Sequence, residues 1–434
     1  MFRLIDFKAL DYASQALIQH RDPYREGSVL GVYEAAQETL RPVAAGPGHI
    51  VALCVNLPTA LALAAPFALL PWAAARALWL LLTAGFYLVA AYQIWRIGAR
   101  WSPRMTGLLL GLLLSGSPLL LEFGNLAGIA VGLCVLGAIL IIRQRHVSVG
   151  MVCLALSLLL KPQDSGFIWL CLLLAGGGHG RRALQALGLA AILGVLPVLW
   201  VTTFAPHWPA ELHANIVATS LTGKVNNPGP PMVEPALDGA MMVSLQTVTC
   251  LLVGEPGAYN AIAWLACAPL LLVWLLFALR KTPSPSKIWF ALAAIAPLSM
   301  LPVYHRQHDT GLLMLAVPAC ALLQSRGGRL ASAAAWLTAI AALACSCLFL
   351  QPVGLLTYPL RSSLTGTKGI IATIALARPV PFALLALAAF YVWLFIWRRE
   401  LPEQISSGPA GDAWLDCRSE AALCSATRPP PQNP

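Results

Sequence analysis

Three polar constellations interrupt an otherwise apolar sequence, and each carries side chains able to handle a phosphate or a sugar hydroxyl. The first runs Asp6-Phe7, Asp11-Tyr12 and Asp22-Pro23-Tyr24, and leads to Asn56-Leu57-Pro58 at the head of an apolar run. A carboxylate held at a membrane surface can act as general base, because taking the proton from an acceptor hydroxyl raises its nucleophilicity as the new bond forms. Taken singly, each Asp also fits a helix cap or a solvated side chain, and spacing alone favours that reading. The second is Tyr304-His305-Arg306-Gln307-His308-Asp309, between two apolar runs. So dense a polar cluster is costly against lipid and is expected to line an aqueous cavity or headgroup-level cleft, although a plain interfacial turn fits it equally. Arg306 suits bidentate phosphate binding, and His305 and His308 suit phosphate positioning or proton transfer. A metal on the His305/His308 pair lacks a third ligand in the sequence pattern, so no metal site is assigned. The third is Lys161-Pro162-Gln163-Asp164, whose lysine either meets an anionic lipid phosphate or snorkels to the interface. Glu122-Phe123-Gly124-Asn125 falls on the same side and either joins the site or caps a helix.

The elements that must position these residues are membrane helices. Of 434 residues, 58% are hydrophobic and 11% charged, with mean hydropathy +0.73, which excludes an ordinary soluble domain. A span of hydrocarbon needs about 20 helical residues. About a dozen runs approach that criterion. They are Ile50 to Pro71, Ala74 to Trp95, Met105 to Leu121, Asn125 to Ile142, Val147 to Leu160 and Asp164 to Ala175 in the first half. Ala183 to Phe204, Tyr259 to Leu279, Lys287 to Leu301, Asp309 to Leu323, Leu330 to Leu350 and Pro379 to Trp397 follow. Some are short enough to be broken or re-entrant. The fold expected is all-α, a polytopic transmembrane bundle of about 10 to 12 membrane helices. The net charge of +10 sits in short loops, where it orients the chain and does not point to nucleic acid. The 11 cysteines lie mostly inside apolar runs and show no disulfide or zinc spacing. With no P-loop, Rossmann fingerprint or metal-binding acidic pair, a sugar donor lacking a nucleotide fits best, and no cofactor is expected.

Basic clusters at Arg96/Arg100/Arg104, Arg143/Arg145, Arg181/Arg182, Arg280/Lys281, Arg326/Arg329 and Arg398/Arg399 read as cytoplasmic. The alternation then puts Glu122–Asn125, Lys161–Gln163, the loop 205–258, Tyr304–Asp309 and the loop 351–378 outside. The first hundred residues do not obey it: two full crossings at Ile50–Pro71 and Ala74–Trp95 place residues 1–49 inside, and a re-entrant first run places them outside. Phe7, Leu10, Ala13, Leu17 and Ile18 recur near helical spacing opposite Lys8, Asp11, Gln15 and Gln19, which predicts an amphipathic helix lying at the interface. Residues 50–400 form the membrane domain, and the Pro- and Ser-containing stretch 401–434 reads as a disordered cytoplasmic tail.

The order Asp-Phe, Tyr, Asp-Pro-Tyr, Ala-Pro-Phe-Ala-Leu-Leu-Pro, Gly124-Asn125, Leu-Leu-Leu-Lys161-Pro162, Ser244-Leu245-Gln246 and Tyr304-His305-Arg306 with Asp309 resembles glycosyltransferase family 87. These are C-type membrane glycosyltransferases that include polyprenol-phosphate-mannose-dependent mannosyltransferases. The resemblance covers roughly Asp6 to Trp397. It implies a multi-pass enzyme of the cell membrane, the bacterial inner membrane, moving a hexose, mannose first among them, from a polyprenyl phosphate to a lipid or glycan acceptor. It also implies a catalytic Asp in the first external loop, matched by Asp6, with Asp22 and Tyr24 at the end of that loop, and residues 1–49 outside. Substrate binding then falls to Asp22, Tyr24, Asn125, Lys161, Tyr304, His305, Arg306, His308 and Asp309. The partners expected are the lipid-linked donor, the acceptor and membrane lipids, with no nucleic acid and no metal. The family has a helix before the Asp, whereas this chain begins five residues ahead of Asp6, so that helix is expected to be missing. The chain also has Gly124-Asn125 and Val243-Ser244 where the family often shows Gly-Gln and Asn-Gln-Ser. A flippase or transporter of lipid-linked sugars, or an inactive truncated relative, are the alternatives. Internal repeats, frequent in transporters, are not seen.

Overall fold

The computed structural model describes residues 4–35, 53–221, 224, 226–229, 242–280, 285–346, 349, 352, 353, 356, 363, 364 and 366–397. The tail 401–434, residues 36–52 and parts of the loops 205–258 and 351–378 therefore lie outside the described residues.

The chain opens with α1 (Ile5–Ile18), α2 (Glu26–Ala35) and α3 (Pro58–Ala68), followed by the long α4 (Trp72–Gly98). Then come α5 (Pro103–Leu114), α6 (Ser117–Phe123), α7 (Ala127–Ile142), α8 (Val147–Leu160), α9 (Pro162–Leu174), α10 (Gly177–Phe204) and α11 (Trp208–Ser220). The second half holds α12 (Gln246–Leu252), α13 (Pro256–Arg280) and α14 (Pro285–Ser299). A 3₁₀ helix, Gln307–Ala316, runs into α15 (Val317–Gln324), and α16 (Gly328–Ala344), α17 (Gly366–Ala377) and α18 (Val380–Trp397) close the described chain. Among the described residues the β-type pairing is confined to an isolated antiparallel bridge, Met242 to Arg306. The fold is all-α.

Among the described residues, five stretches are long and apolar enough to cross a membrane: α4, Pro103–Phe123, α10, α13 and α18. Their large side chains point outward, as at Leu81, Leu196, Leu265 and Trp397, which is stable only where lipid is the solvent. At the centre α7 is buried from Ala127 to Ile141, packed between α4 and α8.

Three expectations need correction. The run Ile50 to Pro71 yields only α3, 11 residues long, which at a helical rise covers about 16 Å of a roughly 30 Å core. One end meets α8, where Thr59 Oγ1 donates to the carbonyl of Leu159; the other packs Phe67 against Phe7 and Trp79. At that length α3 is too short to cross the core by itself.

Second, the polar face expected of α1 is not left open. Asp11, assigned to its polar face, is 2% exposed and accepts a 2.7 Å hydrogen bond from Gln15, and Ser14 donates to the carbonyl of Leu61 on α3. The helix has apolar and small residues on nearly every side (Phe7, Leu10, Ala13, Ala16, Leu17), and α2 and α3 cover the face left open by its sequence pattern. Third, the run Asp309 to Leu323 is a 3₁₀ helix leading into a short α-helix, both buried throughout, so neighbouring helices and not lipid surround it.

Candidate functional site

Placement of Asp6 begins at a glycine. Gly124 ends α6 with φ +63, a left-handed conformation open to glycine at little cost. Its carbonyl accepts a 2.8 Å hydrogen bond from Trp79 Nε1 on α4, and Phe7 stacks on the Trp79 ring at 4.4 Å and on Trp72 at 5.5 Å. The amide of Leu4 donates to the carbonyl of Glu122 at 2.7 Å, docking the start of α1 onto this turn. Asn125 completes the arrangement in two directions. Its Oδ1 accepts the Ala127 amide at 2.8 Å, and its Nδ2 donates to Asp6 Oδ2 at 2.6 Å. A charge-assisted bond of this kind fixes one carboxylate oxygen and leaves the other for a substrate.

The turn Tyr304–Asp309 is held as firmly. Residues 242–245 pair with it through Val243 N–H to the carbonyl of His305 (3.0 Å) and Leu245 N–H to that of Leu301 (2.9 Å). Asp309 caps the 3₁₀ helix, its Oδ2 accepting the Arg306 amide at 2.9 Å. Its other oxygen meets Lys161 Nζ, which also lies 3.3 Å from Asp164 Oδ2. Asp164 in turn contacts His305 Nε2 at 3.2 Å. Burial pulls the Lys161 pKa down, but the two carboxylates outweigh it and hold the ammonium above its usual value. Burial pushes Asp309 up, and Lys161 and His305 more than reverse that. Asp164 and Asp309 thus hold the lysine's charge at this position.

Asp164, His305 and Asp309 also present ligand atoms that all lie within 4.8 Å of one another, a spacing suited to a metal ion. Lys161 already sits against both of those carboxylates and supplies the positive charge they require. Arg306 donates from Nε to the Tyr304 hydroxyl and from a terminal nitrogen to Asn226 Oδ1 at 3.2 Å, and the Tyr304 hydroxyl donates to the same oxygen at 2.8 Å.

The two halves meet. A cavity of about 200 Å³ is lined by Asp6 from α1, Asn125, Lys161, and Tyr304, Arg306, His308 and Asp309. Leu10, Val55, Leu57, Leu126 and Leu160 supply its apolar wall. His308 is 3% exposed, tilts against the Phe123 ring at 5.6 Å, and has no hydrogen-bond partner at either ring nitrogen among the described residues. Burial drives its pKa down to about 4, with Asp6 and Asp309 opposing that shift and Arg306 and Lys161 adding to it.

Three residues expected at the site lie elsewhere. His305 is fully buried beneath the turn, its Nδ1 3.3 Å from the carbonyl of Val303, and does not line the cavity. Tyr24 is buried, its hydroxyl donating to the carbonyl of Asn56 at 2.8 Å. Asp22 accepts the Tyr24 amide, pairs with Arg25 and faces a separate hollow beside Glu211. Conversely, Asn226 and Thr219 line the cavity and were not expected. Asn226-Asn227-Pro228-Gly229 reads as a turn signal, and nothing in its spacing foretells a bond to Arg306 from 80 residues away.

Residues 55–253 match glycosyltransferase family 87. No curated protein and no solved structure matches the chain. The matched stretch contributes Asn56, Asn125, Lys161, Thr219 and Asn226 to the cavity, while Asp6 and the turn Tyr304–Asp309 lie beyond it.

Proposed function

We propose that the chain, whose residues 55–253 match glycosyltransferase family 87, is a membrane glycosyltransferase that moves a hexose, mannose first among candidates, from a polyprenyl phosphate to a lipid or glycan acceptor on the outer face of the cell membrane. The reading rests on one observation: the Asp6 carboxylate, oriented by Asn125, shares a single cavity with Arg306 and Lys161. In this mechanism Asp6 takes the proton of the acceptor hydroxyl as its oxygen attacks the anomeric carbon from the face opposite the phosphate. The bond from that carbon to the phosphate oxygen breaks with its electron pair, polyprenyl phosphate leaves, and the sugar is transferred with inversion. Arg306 is the principal phosphate ligand, because its planar fork matches two phosphate oxygens, and Lys161 adds charge from the side. These fixed cations offset the charge on the leaving phosphate, so the proposed step calls for no metal. Tyr24 and His305 act at a distance, by holding Asn56 and Asp164.

The test is to incubate purified protein with labelled polyprenyl-phosphate mannose and mixed acceptors. The expected result is free polyprenyl phosphate together with a labelled glycan, which a transporter would not produce. Asp6→Asn keeps the bond to Asn125 and removes the base; it is expected to abolish transfer with unchanged thermal melting. An active Asp6→Asn enzyme refutes the role.

A further inference from the structure

We infer that His308 reads a hydroxyl of the transferred sugar and not the phosphate of the lipid carrier. The inference rests on the glycosyltransferase reading and assigns one residue of that site to the sugar.

Four observations carry it. His308 lines the cavity yet is 3% exposed, and neither ring nitrogen has a hydrogen-bond partner among the described residues. A buried polar group left unsatisfied is costly, so a histidine kept in this state is best explained by a ligand that completes it. The ring is also held in place. Phe123 leans on it at 5.6 Å, and the 3₁₀ helix that carries it approaches α4 so closely that a Cβ on Gly311 would stand 2.6 Å from the Tyr87 ring. The groups around it come from every wall: Asp6 on α1, Lys161 at the junction of α8 and α9, and Arg306 and Asp309 on its own turn. His308 thus lies within electrostatic reach of both the proposed base and the proposed phosphate ligands, the region where the sugar ring must sit.

The chemistry then selects the ligand. A neutral imidazole offers one N–H donor and one acceptor nitrogen, the complement of a hydroxyl group, which also gives one and takes one. A phosphate presents acceptors only, so it would satisfy one ring nitrogen and leave the other unpaired unless the ring became an imidazolium. Burial and the cations Arg306 and Lys161 oppose that charge, and those same two cations already serve the phosphate. A site built to hydrogen-bond a hydroxyl also rejects analogues lacking it strongly, which makes His308 a specificity-determining residue.

The experiment compares two lipids on the full-length protein in detergent, without acceptor, so that binding is read and not turnover. The probes are decaprenyl phosphate and decaprenyl-phosphate mannose, with dissociation constants from microscale thermophoresis. Wild-type protein is expected to prefer the mannosylated lipid. His308→Ala should weaken the mannosylated lipid by about tenfold and leave the bare phosphate within about twofold, because only one polar contact is removed. His308→Asn, which keeps a donor and an acceptor, should restore part of the preference and serves as the folded control. Equal weakening of both lipids, an unchanged preference in His308→Ala, or no preference in the wild type overturns the inference. Failure of the enzyme reading would be seen separately, as no release of polyprenyl phosphate by wild-type protein given acceptor.

Discussion

If α1 is docked on the Gly124 turn, the smallest side chain added there should move the proposed base. In Gly124→Ala the new Cβ would stand 2.6 Å from Leu4 Cδ2 and 3.1 Å from Phe7 Cβ. Ordinary carbon contacts lie near 3.5–4.0 Å, so α1 must retreat by about 1 Å at Leu4 and by about 0.5 Å at Phe7. Leu4 and Phe7 are both fully buried, so neither side chain has room to swing away. Asp6 lies between them in the sequence and is tied to Asn125, the next residue after the glycine. A displacement of about 1 Å in a catalytic group costs on the order of a hundredfold in rate. The left-handed φ of +63 adds about 1–2 kcal/mol of backbone strain for any residue with a Cβ. The expected variant is folded, melts several degrees lower and turns over about a hundredfold more slowly, with donor affinity nearly intact because Arg306 and Lys161 are untouched. The assay is steady-state release of polyprenyl phosphate alongside thermal unfolding, with Gly85→Ala as control. Gly85 is also on a membrane helix, but an added Cβ meets nothing within 4 Å, and wild-type behaviour is expected. A Gly124→Ala enzyme with wild-type turnover would refute the claim that this turn positions Asp6.

The ion network and the buried histidine yield further predictions. Asp309→Asn breaks one of the two carboxylate contacts of Lys161 and should destabilise the fold by about 3 kcal/mol, the lower end for a broken buried pair, since Asp164 remains. Lys161→Met, which strips both buried carboxylates of their cation, should lower thermal stability further than Asp309→Asn; a smaller loss would argue against the pairing. For His308 the folded pKa of about 4 lies below the ordinary value of about 6.5, so the unfolded chain takes up the proton first as pH falls. Stability from this group is therefore full above about pH 6.5 and is lost as pH drops toward 4, by up to about 3 kcal/mol. His308→Phe should flatten the melting temperature across that window, whereas the depressed Asp309 carboxyl acts only below about pH 4.

Hydropathy alone makes the long helices legible, because α4, α10, α13 and α18 each present enough apolar length to declare themselves. The same signal misleads at residues 50–71. Hydropathy measures apolarity and not helix length, and α3 is only 11 residues long on a stretch punctuated by Pro58, Pro66 and Pro71. Residue type and order single out Asp6, Asn125, Lys161, Arg306 and His308, all of which line one cavity. Orientation is not legible in that way. His305 and His308 stand three apart on one turn, yet one faces the cavity and the other Asp164, because pairing of residues 242–245 with the turn fixes its rotation. Asp11 is similar, since its burial depends on where α2 and α3 pack and not on its own neighbours in sequence.

A small cavity that must hold both a base and an anionic lipid faces a conflict, since carboxylate and phosphate repel. The cations and Asp6 are supplied by different elements: Lys161 by the junction of α8 and α9, Arg306 by the turn, and Asp6 by α1 with, among the described residues, only the neutral amide of Asn125 bonded to it. Lys161 is further restrained by Asp164 and Asp309, which keeps it from closing on Asp6 as a simple ion pair. Within reach of both sides stands His308. A cation in its place would pair with Asp6 and occupy the lone pairs needed for the acceptor proton; an anion would repel the donor. An uncharged, bifunctional side chain avoids both outcomes, so the burial that keeps His308 neutral also keeps the proposed base and the proposed phosphate site from neutralising each other.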